Sequence, residues 1–173
     1  MANVDRPYGF PPTDSIGGGA FYTQNYDKLV GYATALGIFD LVDVVSTGDD
    51  VNQGAAGGPF IGVGLMYSAA STAATIPVIV LTPQTLCHAQ EDGVGGAIAA
   101  ADETLNADVI VAAANATSGE SQMEIDSNTA ATTSTLDLRL QRLYPAVGNA
   151  QGANARYLLF VNDLRIGDLK AAV

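Results

Sequence analysis

Leu136-Asp137-Leu138-Arg139-Leu140-Gln141-Arg142-Leu143 is the clearest alternation in the chain, apolar on even positions until the last pair. Neighbouring strand residues point to opposite faces, so the pattern predicts a half-buried strand with one solvated face. Shorter β-like runs flank it. Residues 38–45 (IFDLVDVV) are β-branched and aromatic, and Thr47-Gly48-Asp49-Asp50 stops them. Residues 60–67 (FIGVGLMY) follow the breaker Gly57-Gly58-Pro59. Residues 78–81 lie between Pro77 and Pro83, and residues 86–90 lead into Glu91-Asp92-Gly93. Residues 108–111, 122–125 and 157–161 complete the set. Seven or eight short strands at modest spacing predict a mainly β domain, a barrel or sandwich, with a jelly roll among the candidates.

Helical signal is thin. Residues 97–105 suit a turn or two of helix, and residues 165–173 suit another at the end. The tract 128–135 (NTAATTST) reads as a loop or an edge strand. No repeat of twenty to fifty residues and no linker divides the chain, so residues 21–173 are expected to form one β-rich domain. Residues 1–20 read as an extended arm. Pro7, Gly9, Pro11, Pro12 and Gly17-Gly18-Gly19 disfavour both helix and central strand. Tyr8 and Phe10 in that arm suggest a segment that docks on something, since a disordered tail seldom carries two aromatics so close together.

The 173 residues carry a net charge of −11, distributed unevenly. No Lys or Arg lies between Lys28 and Arg139; residues 1–138 sum to −14 and residues 139–173 to +3. A surface so short of cations releases few phosphate counterions, which argues against nucleic-acid binding. No run of eighteen apolar residues predicts a membrane span. The opening residues lack the apolar core of a secretory signal, so synthesis in a cytoplasm is expected.

Little in the sequence suggests catalysis. The single Cys87 excludes an internal disulfide and a zinc site built from several cysteines. His88 is the only histidine and stands next to Cys87, but adjacent strand residues face opposite ways and cannot form a nucleophile–base pair. Gly119-Glu120-Ser121 lacks the second glycine of a nucleophile elbow, because Met123 occupies that place. Gly62-Val63-Gly64 has Tyr67 where a phosphate loop needs its third glycine, so these glycines read as thinning a strand where another backbone approaches. The carboxylate clusters Asp40/Asp43, Asp49/Asp50, Glu91/Asp92 and Asp102/Glu103 mostly sit where turns want them. Asp49-Asp50-Val51-Asn52 lacks the central Gly and closing Glu of a calcium loop. No metal or cofactor is expected.

The opening Met1-Ala2-Asn3-Val4-Asp5-Arg6-Pro7-Tyr8-Gly9-Phe10 resembles the start of a family of tailed-phage head proteins, the structural cement or decoration (capsid auxiliary) proteins. Residues 86–93, 105–108, 123–135 and 149–162 are similar to that family as well, in order, so that about half the chain is covered. The sequence departs from the family pattern at Pro11-Pro12-Thr13-Asp14 and over residues 46–60. The resemblance implies a non-enzymatic, often oligomeric β subunit on the exterior of an icosahedral head. Its partner would be the major capsid protein and its own assembly a homotrimer. The arm's Arg6, Pro7, Tyr8 and Phe10 are, from their own chemistry, the expected capsid contacts; the other reading is that these aromatics fold back onto the protein's own barrel. The alternative is a carbohydrate- or receptor-binding sandwich displayed on a virion. That would want exposed Trp or Tyr platforms, yet Trp is absent and Tyr22, Tyr26 and Tyr32 form the only nearby cluster. A small glycosidase using paired carboxylates is a third reading, for which the sequence offers no enclosing cleft.

Overall fold

The computed structural model describes residues 3–45 and 50–165. The stop expected at residues 47–49 and the helix expected beyond Arg165 lie outside the described residues. In chain order the strands are β1 (Pro12–Ser15), β2 (Thr23–Asp27), β3 (Leu41–Val44), β4 (Val51–Gln53), β5 (Gly62–Gly64) and β6 (Thr75–Val80). Then follow β7 (Thr85–Gln90), β8 (Asn106–Ala107), β9 (Val109–Ile110), β10 (Glu124–Ile125), β11 (Leu138–Leu143) and β12 (Arg156–Val161). One sheet runs β1-β7-β12-β11-β8, a second runs β2-β6-β5-β3-β4, and β9 pairs with β10 in a ribbon. All these pairings are antiparallel. The protein is mainly β, as expected, with the two large sheets packed as a sandwich. Among the described residues no helix is long and apolar enough to cross a membrane.

The alternating stretch forms β11. Leu138 and Leu140 are wholly buried, and Arg139 is exposed between them. The break in the pattern at the last pair has a structural counterpart. Leu140 pairs with Leu159 and Arg142 with Leu158, so Gln141 is an extra residue that shifts the register. This bulge lets Leu143 pack against the same core as Leu140 while Arg142 stays exposed. Asp137 departs from the expected solvated face. It precedes the strand, is wholly buried, and accepts the amides of Gly57 (3.0 Å) and Val109 (3.2 Å).

The inner strands of the second sheet, β3 and β5, are buried on both faces. Leu41 and Val63 face the core shared with the first sheet, which includes Cys87, Leu138, Tyr157 and Leu159. Val42, Val51, Ile76 and Val78 join Leu36 and Ile61 in a second core on the other side. That is why Leu41 and Val42 follow one another as apolar residues instead of alternating with polar ones. The strand starts only at Leu41 because Phe39 holds a left-handed backbone (φ 72°). Gly62 lies where the sequence suggested a close approach: a Cβ there would stand 2.3 Å from the Ile79 carbonyl oxygen. Pro77, expected to bound a strand, lies inside β6. Its carbonyl accepts Leu65 N–H (2.9 Å) just past the end of β5, so its missing donor falls where that ladder stops.

Parts of the expected arm join the body. β1 is an edge strand on β7, a place that tolerates Pro12. Phe10 is 0% exposed and belongs to the shared core. Gly9 makes this entry possible: at φ 77° a Cβ would lie 2.3 Å from the Phe39 carbonyl oxygen. Only a short 3-10 turn, Ala100–Asp102, forms where residues 97–105 suggested helix. The tract 128–135 is mostly loop, with an isolated bridge between Ala131 and Asn106.

Truncating the buried ring in Phe10→Ala should cost about 3–5 kcal/mol. Val4→Ala, at a side chain 75% exposed, should stay within about 0.5 kcal/mol. Urea unfolding of the two variants measures both; equal midpoints would remove Phe10 from the core.

Candidate functional site

The amino-terminal segment crosses one end of the first sheet and is pinned along its length. Asn3 donates to the carbonyls of Ala150 (2.8 Å) and Ala153 (3.0 Å) and accepts Ala150 N–H (3.1 Å). The side chain of Gln90, at the end of β7 and 2% exposed, serves three partners. Its oxygen accepts Arg6 N–H (3.2 Å), and its amide nitrogen donates to Asp5 (3.2 Å) and Glu124 (3.3 Å). Farther along, the His88 N–H donates to the Pro11 carbonyl (3.2 Å), and its ring Nδ1 lies 2.7 Å from the Thr13 hydroxyl.

The segment walls a groove of about 580 Å³. Val4, Arg6 and Tyr8 form one side; Ile38, Phe39, Gln90, Glu120 and Arg156 form the rest. Arg6 pairs with Glu120 at 2.9 Å while its side chain stays 71% exposed. The Arg156 guanidinium stands 5.6 Å from the centre of the Tyr8 ring, and Tyr8 tilts against His88, which stacks on Tyr144 at 4.3 Å. Burial pushes the Tyr8 phenol up to about 12, against the opposing charge and hydrogen bond of the Arg156 side chain. The groove floor includes the strained Phe39 turn, which Asp40 holds by accepting Gly37 N–H at 2.7 Å and the Gln53 amide at 3.0 Å. Burial raises the Asp40 carboxyl to about 6.

The four expected contact residues therefore separate. Arg6 and Tyr8 face the groove, Pro7 is half-buried between them, and Phe10 is closed off inside the protein. Asn3, Gln90, Glu120, Tyr144 and Arg156 were not singled out from sequence. They lie far apart in the chain, and no spacing rule connects them.

Cys87 and His88 do face opposite ways. Cys87 is wholly buried with its thiol pushed up to about 12 by burial, so it is a poor nucleophile. The carboxylate clusters divide into single structural tasks. Asp43 holds Arg165 with two bonds, at 2.7 and 2.9 Å, while neighbouring Asp40 serves the Phe39 turn. Glu91 accepts Gly93 N–H (3.2 Å) and Asp92 accepts the Ser127 hydroxyl (2.6 Å). Asp102 accepts Ala99 N–H (2.9 Å) and Glu103 accepts Leu143 N–H (3.1 Å). Asp49 lies outside the described residues. Among the described residues no group of three His, Cys, Asp or Glu side chains could hold a metal ion. Neither a protein-family model nor a curated protein matches the chain.

Two titrating groups beneath the segment pull stability in opposite directions with pH. Burial, with the Arg156 charge, lowers His88 from 6.5 to about 4. Its contribution is present above 6.5 and is lost as pH falls toward 4, because only the unfolded chain takes up the proton there. Burial, with Asp5 and Asp92, raises Glu124 from 4.5 to about 7. Its contribution is present below 4.5 and is lost as pH rises through 7. Relative to the parent, His88→Gln should therefore lose less stability between pH 6.5 and 4. Glu124→Gln should lose less between pH 4.5 and 7.5. Slopes of unfolding free energy against pH check this; unchanged slopes would mean that both groups titrate normally.

Proposed function

We propose that this protein is a structural component of a tailed-phage virion that binds the outside of the icosahedral head and stabilises the shell by bridging capsomers. The observation that carries the reading is a convergence. The stretches resembling cement proteins are scattered through the chain, yet they meet in the fold. Asn3 binds residues 150–153, and Asp5 and Arg6 bind Gln90, which also reaches Glu124. Asn106 pairs with Ala131 and donates to the Thr133 carbonyl at 3.0 Å. The contacts of Asn3, Asp5, Arg6 and Glu124 gather around Gln90 and residues 150–153, and family-like stretches brought together there fit a surface that meets a partner. The neighbouring groove, with exposed Arg6 beside the Tyr8 and Arg156 pair, is the natural contact element.

The mechanism is linkage. A subunit that binds only the assembled, expanded shell stabilises it by mass action, and a homotrimer on a local three-fold gains avidity because one engaged subunit concentrates the others. The partner is the major capsid protein; the role needs no cofactor, nucleic acid or membrane.

Deletion of residues 1–6 tests the reading while leaving Phe10 in the core. The hydrogen bonds lost are peripheral, each worth about 1 kcal/mol, so the thermal midpoint should fall by only a few degrees. Binding to expanded heads of the major capsid protein from the same genome should weaken at least tenfold, about 1.4 kcal/mol per decade. Co-sedimentation measures it, and native mass spectrometry of the free protein reports the trimer. A full-length chain that never associates with heads would sink the proposal.

A further inference from the structure

In a chain with so many carboxylates, three arginines share one face and, among the described residues, make no ion pair. Among the described residues the cations are Arg6, Lys28, Arg139, Arg142, Arg156 and Arg165. Lys28 is 1% exposed and donates to the Ser68 hydroxyl and the Ala69 carbonyl. The ion pairs among the described residues are Arg6 with Glu120 and Arg165 with Asp43. The remaining three lie on β11 and β12. Those strands turn Leu138, Leu140, Tyr157 and Leu159 into the core, so Arg139, Arg142 and Arg156 occupy the opposite, outer face. The register sets Arg139 opposite Phe160 and Arg142 opposite Leu158. The bulge at Gln141 is what keeps Arg142 outward after the alternation breaks.

Arg139 also separates two depressions. One, of about 410 Å³, is lined by the exposed Ile16 with Pro83, Gln141 and Phe160. The other, of about 440 Å³, is lined by Leu105, Asn106, Thr132 and Ser134. Guanidinium groups between shallow neutral pockets suit carboxylate side chains on an extended chain: the arginines take the acids bidentately, and the pockets take the residues between. A nucleic acid fits less well. Its dense phosphates would meet only three arginines on a molecule of net charge −11.

We infer that the outer face of β11 and β12 docks a carboxylate-rich, extended polypeptide segment of the shell partner. This identification of the segment's source rests on the capsid reading; the carboxylate preference of the face does not.

Two variants with the same change in net charge separate a local face from a global effect. Arg139→Gln with Arg142→Gln removes two exposed cations. Ala70→Glu with Ala73→Glu adds two acids at exposed positions on the loop that closes the second core. The arginine pair should weaken head binding at least tenfold, and the loop pair less than twofold. A decaglutamate peptide should compete with the parent protein for heads, with a decathymidylate far weaker, and the competition should fade as salt is raised. Equal losses in the two variants, or no loss in either, would overturn the inference while leaving capsid binding intact. Competition by the decathymidylate as strong as by the peptide would overturn it in favour of a nucleic-acid face. If the parent protein never binds heads, the capsid reading fails by itself. Direct titration with fluorescent decaglutamate then decides: saturable binding lost in the arginine pair supports the carboxylate-docking face, and its absence ends it.

Discussion

Burying the inner strands of one sheet on both faces is the constraint on which the rest of this structure depends. A strand with cores above and below cannot alternate apolar and polar residues, so β3 reads Leu41-Val42 and β5 is Gly62-Val63-Gly64, with all these residues buried. Close packing there is unforgiving: a single methyl at Gly62 would collide with the backbone of β6. Where β3 and β5 are enclosed, Leu41, Val42 and Val63 are apolar, whereas β11 alternates buried leucines with exposed arginines. The outer face of β11 is therefore open, whereas β3 and β5 lie covered on both faces.

The same constraint explains how an acidic chain uses its carboxylates. Asp40, Glu91 and Asp137 are wholly buried without a cationic partner, a costly arrangement unless other donors answer the charge. Backbone amides do so: Gly37 for Asp40, Gly93 for Glu91, and Gly57 with Val109 for Asp137. These acids act as clasps on irregular chain between short strands. Asp137 fastens the loop after β4 to the start of β9, and Asp40 holds the turn that receives Gly9 and Phe10. Even so, burial raises the carboxyls of Asp40, Glu91 and Asp137. Charge that looks like a solvated surface in the sequence thus partly belongs to the interior.

Strands were legible in the sequence where the local pattern was set by burial that neighbours in the chain share. The runs that became β3, β7, β11 and β12 stood out, each within a few residues of its observed bounds. β1, β2, β4 and β8 did not. β2 is almost entirely exposed apart from Tyr26, and β8 has two residues, so neither carries a hydrophobic signature. β1 contains a proline and forms because β7 offers it an edge. The site was less legible still. Arg6 and Tyr8 could be singled out because cations and aromatics are scarce near the start, but Gln90 and Arg156 become part of it only through the pairing of β7 with β12.

By itself the sequence determined the β character, the opposite orientations of Cys87 and His88, and the concentration of cations after residue 138. Each follows from a property of one residue or its immediate neighbours: period or charge. Only the tertiary structure decided that Phe10 is core, that Asp137 is buried, and that Arg139, Arg142 and Arg156 share a face. Those depend on which distant strand lies alongside. Pairing between segments a hundred residues apart is chosen by the fit of whole sheets, which no local pattern in the chain encodes.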